Sequence, residues 1–462
     1  MSSNRVKKEE NVLRKDGSVV DPTKERTILE KNPDVDNTPV RRNVGGDGKA
    51  KRSADVRLGK RKHSSIERGT LGGIMSYRFV RGLRLVDPYV YRFRTYAKGR
   101  WFDRTLLDVL SKEFRRGTQE ESRAYFTAAM KAGLLRVNGK AGRPDDVFRN
   151  GDLLEHIVHR HEPPVRGDPI VTVYDEDNFL VVSKPPTIPV HPCGAYHHNS
   201  LVNILQNESK DRRALYSVHR IDRLTSGLLV MARNPDLAKR VSAAIKSRDV
   251  TKTYIARVRG EFPLGKDDAD NDSIVRDAKS RCAAADIRWQ ENGFVRVSCP
   301  MRAIDPRRGI HQCREDGREA VSEFRRRSRP NAFGGVTSVV ECRPVTGRTH
   351  QLRLHLQLLG FPIANDGNYG GDFSIPYGDF DATSTSSASA ERALDACAPK
   401  LDSESEKAAR ALCNACQNPT KISDTLHYHG IWLHSSQFRM ADRTFKCNDP
   451  AWAIETGVTE KR

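Results

Sequence analysis

The stretch at residues 218–232 constrains the fold more than any other, because a dense set of charges runs directly into a series of apolar residues. Its charged part crowds Arg220, Asp222 and Arg223 into one turn, and its apolar part predicts a strand. The carboxylate of Asp222 is therefore expected on a loop at the mouth of a sheet, where rigid scaffolds commonly carry chemistry. Guanidinium neighbours should hold it ionised, as a candidate nucleophile. The alternative is a surface cluster of ion pairs, which is the commoner arrangement for an arbitrary Asp–Arg pair.

The same stretch resembles a known catalytic motif. Residues 219–222, His-Arg-Ile-Asp, are followed by Thr-Ser-Gly at 225–227 and then by the apolar run, as in the RluA-type pseudouridine synthases. The resemblance implies that Asp222 is the nucleophile of an enzyme that isomerises uridine in RNA to pseudouridine. It also implies the α+β fold of that family, with a mixed sheet that is mostly antiparallel.

Two further segments place residues around this carboxylate by the same resemblance. The Lys-x-Tyr pattern at residues 252–254 matches a strand of the family whose tyrosine, here Tyr254, stacks on the target base. The Gly-Arg-Thr-His-Gln pattern at residues 347–351 opens a predicted helix capped by Thr349. Arg353 in this helix is expected to pair with the Asp222 carboxylate.

A proline-rich loop at residues 183–192 is similar to the family's Asn-Lys-Pro and His-Pro segment, with Ser183 in place of the usual asparagine. It implies that Lys184 and His191 line the entrance to the site, Lys184 by contact with phosphate. The resemblance as a whole assigns catalysis to Asp222, Arg220, Tyr254 and Arg353. It assigns contact with RNA to Lys184, His191, His219, Arg348, His350 and Gln351.

The implied reaction breaks the N1 glycosidic bond of uridine, rotates the freed uracil and rejoins it through C5. It needs neither a redox cofactor nor the second carboxylate of a glycoside hydrolase, so no cofactor is expected. Arg220 is expected to fill the place of the everted nucleotide. Asp222 acts either covalently or by taking a proton from the sugar. Two other functions stay open: a noncatalytic RNA-binding protein on the same scaffold, and a nucleoside hydrolase that releases uracil.

The chain divides into a polar N-terminal segment, a small module and a catalytic domain. Residues 1–74 contain no Phe, Tyr or Trp and predict a disordered basic tail. Residues 75–162 combine two short helices with a hairpin and resemble an alpha-L RNA-binding module. The catalytic domain is expected at residues 165–445, with a disordered insertion at 375–425 and a tail at 446–462.

The chain is strongly basic, with 79 Lys and Arg against 59 Asp and Glu and a net charge of +20. This charge favours a polyanionic partner. RNA is the expected one, with tRNA favoured over rRNA because residues 83–101 resemble the eukaryotic branch of the family that modifies tRNA. No run of about 18 apolar residues occurs, so no membrane partner is expected. The protein is expected to act as a monomer.

Nine scattered cysteines favour reduced thiols, and therefore a cytoplasmic or nuclear compartment. A mitochondrial location is less favoured, because Glu9, Glu10 and Asp16 break the acid-poor pattern of a presequence. Both expectations concern the compartment alone and leave the predicted reaction unchanged.

One Cys-x-x-Cys pair, Cys413 and Cys416, lies near Cys397, His427 and His429. A tetrahedral zinc site needs four nitrogen or sulfur ligands, and only this one pair is present, so no metal site is assigned, and the question of whether Cys413 and Cys416 bind zinc stays open. The chain also lacks the His-x-Glu and Pro-Cys-x-x-Cys signature of a zinc deaminase, which argues against a fusion to that enzyme.

Overall fold

The computed structural model describes residues 77–80, 82–114, 116–209, 214–306, 309–327, 331–332, 336–371, 403–418, 430–441 and 443–454. The basic tail predicted for residues 1–74 lies outside these residues, as do most of the insertion predicted at 375–425 and residues 455–462 of the predicted C-terminal tail. No helix in the described part of the chain is long and apolar enough to cross a membrane.

The first described strands form two small sheets. One is three-stranded and joins β1 (Tyr77–Val80), β2 (Leu83–Val86) and β7 (Val165–Arg166). The other is four-stranded, in the order β3-β6-β4-β5, and is built from β3 (Tyr89–Tyr96), β4 (Leu135–Val137), β5 (Lys140–Ala141) and β6 (Leu153–Arg160). Its helices are α1 (Leu106–Glu113) and α2 (Gln119–Lys131), after a 3₁₀ turn at Gly99–Trp101.

Local side-chain chemistry fixes where these two helices begin. The Thr105 hydroxyl accepts a hydrogen bond from the Asp108 N–H at the start of α1. At the start of α2, Thr118 and Glu121 form a capping box in which each side chain accepts from the backbone N–H of the other. The first helix ends at Glu113. Thirteen buried side chains, Ala409 among them, form a separate apolar cluster around these elements.

A twelve-stranded sheet forms the centre of the molecule. Its main path runs β13-β14-β17-β19-β12-β20-β11-β9-β8, with β10 on β11, β18 on β19 and β21 on β20. The strands are β8 (Val171–Tyr174), β9 (Phe179–Lys184), β10 (Tyr216–Ser217), β11 (Ser226–Ala232), β12 (Val250–Arg259), β13 (Asp286–Trp289), β14 (Val295–Ser298), β17 (Val321–Arg326), β18 (Asn331–Ala332), β19 (Val336–Pro344), β20 (Leu433–Met440) and β21 (Arg443–Lys446). A separate hairpin joins β15 (Met301–Asp305) and β16 (Ile310–Cys313).

The described strand pairs of this sheet are antiparallel except for one, because β11 pairs with β20 in parallel. The structure is thus α+β with a mixed and mostly antiparallel sheet, as predicted. The remaining helices are α3 (Leu201–Glu208), α4 (Pro235–Ser247), α5 (Asn271–Arg281), α6 (Gln351–Leu358), α7 (Glu404–Ala411) and α8 (Asn414–Gln417), with a 3₁₀ turn at Ala451–Ala453.

Apolar side chains cover both faces of the central sheet. Alternate residues of β11 point to opposite sides, so Leu229 lies in one buried cluster with Leu356 of α6, while Leu228 lies in another with Val241 of α4. Helix α4 has a proline at its first position, and the side chain of its cap residue Asn234 accepts from the Leu237 N–H. The apolar run of the opening motif is therefore a strand buried on both faces.

The prediction of a disordered insertion at 375–425 is wrong for residues 403–418, which form α7 and α8. The Ser403 hydroxyl caps α7 by accepting from the Glu406 N–H. The buried Ala409 then packs with the cluster around α1 and α2. The composition of the segment does not predict these helices, because a helix that is stabilised by one cap and a distant contact needs few apolar residues of its own.

Gly227 lies where β11 comes close to the backbone of β20. Its φ is +101°, and a Cβ at this residue would meet the backbone oxygen of Ser435 and lie 2.7 Å from the Ser435 nitrogen. We expect Gly227→Ala to lower the free energy of unfolding by on the order of 3 kcal/mol, because both strain and the backbone clash resist the methyl group. Urea unfolding measures this.

Gly99→Ala is the matched control, because no atom lies within 4 Å of a Cβ at that position. Equal stability of the two variants would contradict the close approach at Gly227.

Candidate active site

The loop between β10 and β11 carries Asp222, as predicted, and several backbone bonds fix it. The Thr225 N–H donates to the Asp222 carbonyl at 3.2 Å, and the Ile431 N–H donates to the Leu224 carbonyl at 3.1 Å. The side chain of Asp222 keeps 20% exposure, so its carboxylate faces open space from a held loop.

Lys184 does not line the entrance, which corrects the prediction of a phosphate contact. The residue is 1% exposed, and its ammonium donates to the Pro185 carbonyl at 2.8 Å and to the Arg223 carbonyl at 3.3 Å. Burial, with the charge of Arg223, lowers the pKa of Lys184 well below its ordinary value. Lys184 therefore links the Asp222 loop to the end of β9 by a hydrogen bond inside the protein.

Arg353 is the guanidinium that faces Asp222. Its Nη1 lies 3.4 Å from Asp222 Oδ2, while Nε and Nη2 make a two-pronged contact with Asp366 at 2.6 and 2.8 Å. Both Arg353 and Asp366 are buried. Burial opposes the charge of Arg353, but the hydrogen bond and charge of Asp366, together with the charge of Asp222, raise its pKa above the ordinary value. One buried cation thus balances two carboxylates.

The two arginines that flank Asp222 in sequence, Arg220 and Arg223, do not form the ion pair with its carboxylate, contrary to the prediction from the crowded turn. Arg220 is exposed, and Arg223 lies over the ring of Tyr196 with its guanidinium carbon 5.5 Å from the centroid. In the described part of the chain, the ion-pair distances to Asp222 come from Arg353 and His350.

His350 stands at the start of α6 in a left-handed conformation, with φ of +58°. It takes the cap position that the sequence assigns to Thr349, and its side chain makes no cap bond. Its Nδ1 lies 2.7 Å from the Tyr369 hydroxyl and its Nε2 lies 3.7 Å from Asp222 Oδ2. Burial lowers the pKa of His350 to about 4, so the ring that faces Asp222 is neutral at pH 7.

Gln351 and His355 hold α6 against β17. Gln351 is 3% exposed; its amide donates to the Val321 carbonyl and the Ser322 hydroxyl, and its oxygen accepts from Thr346. This corrects the prediction that Gln351 contacts RNA phosphate, because its hydrogen bonds lie inside the protein. The fully buried His355 lies 3.0 Å from the Ser322 hydroxyl, through Nδ1.

A bulge directs Tyr254 toward the same cleft. The register between β12 and β20 shifts between Thr253 and Tyr254, and such shifts re-aim side chains. The ring lines the cleft beside Asp222. Burial, helped by the charge of Asp222, raises the pKa of Tyr254 above its ordinary value, so the hydroxyl stays protonated.

His219 is a scaffold residue, which corrects the prediction of an RNA contact. Its Nε2 accepts from the Val230 N–H at 3.1 Å, and its ring stacks on Phe438 with centroids 5.2 Å apart. Burial lowers its pKa to about 3. His191 is half-buried, and it stands near Arg220, whose charge adds to burial in lowering its pKa.

The cleft in front of Asp222 has a volume of about 330 Å³. Besides Arg353, four basic side chains line it: Arg220, Arg248, Lys252 and Arg348. The sequence-based selection missed Arg248 and Lys252, and it missed Asp366 and Tyr369 behind Arg353. Lys252 could have been found from its place in the Lys-x-Tyr pattern, whereas Arg248 ends α4 and carries no local signal.

Among the described residues, the groups of His, Cys, Asp and Glu that are close enough to share a metal ion lie away from Asp222. The cleft itself offers one carboxylate with a fixed guanidinium, a neutral imidazole, a protonated phenol and a rim of cations.

Comparison with known proteins finds similarity to RNA pseudouridine synthases. A family model described as RNA pseudouridylate synthase matches residues 178–358. RNA pseudouridine synthase 7 of Oryza sativa subsp. japonica is 32% identical over 399 residues, covering 84% of this chain and 94% of that protein. Pseudouridylate synthase RPUSD2 of Homo sapiens is 40% identical, covering 64% of this chain and 47% of that protein. The mitochondrial tRNA pseudouridine(32) synthase of Saccharomyces cerevisiae is 38% identical, covering 63% of this chain and 55% of that protein.

This chain spans about half the length of the human and yeast relatives. The yeast relative is named as mitochondrial, and this finding contradicts the prediction of a cytoplasmic or nuclear location. Neither observation behind that prediction separates the compartments. A few acids in a strongly basic segment do not exclude a presequence, and scattered cysteines do not specify which reducing compartment holds the chain.

The buried His355 makes the stability of the fold depend on pH. Burial lowers its pKa to about 4, below the ordinary value of about 6.5 that applies to the unfolded chain. The unfolded state therefore binds more protons between these values, and stability is lost as pH falls through this window. We expect His355 to account for about 2 kcal/mol of lost stability at pH 5.

Urea unfolding at pH 7.5 and pH 5 measures this loss in the wild type and in His355→Gln. The other buried histidines are common to both proteins and cancel in the difference. A variant that loses as much stability on acidification as the wild type would contradict the assignment to His355.

Proposed function

Because this chain belongs to the RNA pseudouridine synthase family, we propose that it isomerises uridine in RNA to pseudouridine. The observation that supports this most is the Asp222 carboxylate, held 3.4 Å from the buried Arg353 in a cleft that also contains Tyr254. A protein that only binds RNA has no use for an anion at the centre of a basic cleft, because phosphate and carboxylate repel.

Asp222 acts on the ribose in this proposal. The bond from C1′ to N1 of uracil breaks, C1′ then bonds to C5, the C5 proton leaves and N1 gains a proton. The carboxylate either forms a bond to the sugar or takes a proton from it, and both routes need its anionic form. The guanidinium of Arg353 orients the Asp222 carboxylate and balances its negative charge.

Tyr254 and Arg220 serve base flipping in this proposal. The target uridine is stacked in RNA, and its eversion costs a few kcal/mol. The phenol ring of Tyr254 supports the everted uracil by stacking. Arg220 is exposed at the rim of the cleft, two residues before the carboxylate, and fills the vacated place.

The basic rim of the cleft holds the RNA backbone. Arg248, Lys252 and Arg348 lie on it and position the strand through phosphates. The apolar cluster of α1 and α2 is separate from that of the central sheet, which supports a separately packed module at residues 75–162, and in this proposal that module binds RNA. One chain supplies all of these groups, which is consistent with a monomer.

The substrate proposed is tRNA, on the basis of the yeast relative, which is named as a tRNA pseudouridine synthase. Mapping pseudouridines in tRNA and rRNA from cells with and without the protein tests this. Loss of a site only in rRNA would refute the substrate and leave the reaction intact.

The reaction predicts that Asp222→Asn lowers product formation on the order of a thousandfold or more, because an amide neither attacks nor takes a proton. The assay uses RNA with tritium at C5 of uridine, which is released when C5 bonds to C1′. Asp236→Asn, at a side chain 93% exposed on α4, is the control and should retain full release.

Turnover by Asp222→Asn with a normal melting temperature would refute the assignment. Release of free uracil by the wild-type protein would instead establish a nucleoside hydrolase.

The stacking role predicts that Tyr254→Phe is mild and Tyr254→Ala severe. Stacking of a base on an aromatic ring is worth about 1–3 kcal/mol, so the alanine variant should lose about tenfold to a hundredfold in kcat/KM. Steady-state tritium release measures both variants. Equal losses in the two variants would indicate that the hydroxyl group, rather than the ring, is the part that matters.

A further inference from the structure

Four side chains outside the active cleft converge on one point. His159 lies in the last residues of β6, and His161 follows one residue after the strand ends at Arg160. Cys413 and Cys416 come from the turn that opens α8. One ligand atom from each of the four lies within 4.8 Å of every other. The sequence separates the histidines from Cys416 by 255 and 257 residues, so no local spacing predicts the cluster.

The distances within the cluster fit a tetrahedral metal ion. Cys416 Sγ lies 3.2 Å from His161 Nε2 and 3.4 Å from His159 Nδ1. Zinc bonds of about 2.3 Å to sulfur and about 2.0 Å to nitrogen place tetrahedral ligands about 3.6 Å apart. Two thiols with two imidazoles are a donor set that zinc takes in structural sites, with no position left open for a substrate.

The two short helices beside these cysteines bury few of their own side chains. Helix α7 buries Ala409 as its one buried residue, and α8 has none. Helices of eight and four residues are marginal in water without strong tertiary contacts. Helix α7 packs, through Ala409, on the cluster around α1 and α2, which comes from a part of the chain more than 240 residues earlier. A metal link that closes so long a loop contributes more than one across a short loop.

From this geometry we propose that His159, His161, Cys413 and Cys416 bind one zinc ion, which fastens residues 403–418 to the end of β6. The thiols release their protons on binding, and the imidazoles bind in their neutral form. The site is structural, because four protein ligands complete a tetrahedral shell. All eight described cysteines are free thiols, so both sulfurs are available.

Metal content of the full-length protein tests the proposal. Protein purified with a thiol reductant and without chelators should contain about one zinc ion per chain, as measured by inductively coupled plasma mass spectrometry. Cys416→Ser should reduce this to below about one-tenth. Cys193→Ser is the matched control, because Cys193 is an exposed cysteine outside the cluster, and it should keep the full content.

Two further readouts keep the test independent of zinc loss by misfolding. Cobalt(II) added to zinc-free protein should give the visible bands of a tetrahedral thiolate site, and His161→Asn should lose them while its melting transition stays cooperative. Limited proteolysis should cut residues 403–418 faster in Cys416→Ser than in Cys193→Ser.

Three results would overturn the proposal. The first is a reduced wild-type protein that contains no zinc and gives no cobalt spectrum. The second is an equal zinc content in Cys416→Ser and the wild type. The third is a disulfide between Cys413 and Cys416 after purification under reducing conditions. None of these results bears on tritium release, so the proposed reaction stands or falls separately.

Discussion

The cleft depends on one buried cation shared between two carboxylates. Arg353 makes two short contacts with Asp366 inside the protein and turns its remaining nitrogen to Asp222 at the surface of the cleft. Breaking a buried pair of this kind leaves a charge without compensation and costs several kcal/mol, so the inner carboxylate keeps the guanidinium in place. The outer carboxylate then meets a partner that is already oriented. Tyr369, below the guanidinium at 4.6 Å, leaves it little room to turn.

Much of this arrangement could be predicted from the sequence. The carboxylate on its loop, the strand after it and the approach of Arg353 to Asp222 follow from motifs whose residue types are few and ordered. The errors concern polar residues inside those motifs. Lys184 and Gln351 stand where a phosphate contact is plausible, yet their side chains turn inward to backbone carbonyls. A sequence pattern records that such a residue is needed, but it does not record whether its polar group serves the substrate or the scaffold.

The cluster at β6 illustrates a second limit. Cys413 and Cys416 form a visible pair, but their neighbours in sequence, Cys397 and His427, lie outside the described residues. The side chains that meet the pair in space come from a strand more than 250 residues earlier. Periodicity and spacing report on local structure, whereas the partners of a long insertion depend on where its ends leave the sheet and on which surface it reaches. That information exists only in the folded chain.

The position of β20 has a consequence for synthesis of the protein. This strand lies between β11, which follows the Asp222 loop, and β12, which carries Tyr254, and it is contributed by residues 433–440. The two halves of the sheet therefore remain unjoined on the ribosome until residues 433–440 have emerged. Strand pairing over such a distance is slow, and unpaired edges are exposed meanwhile. A premature stop codon anywhere before this strand would thus remove the seam that unites the catalytic groups, however many of those groups had already been made.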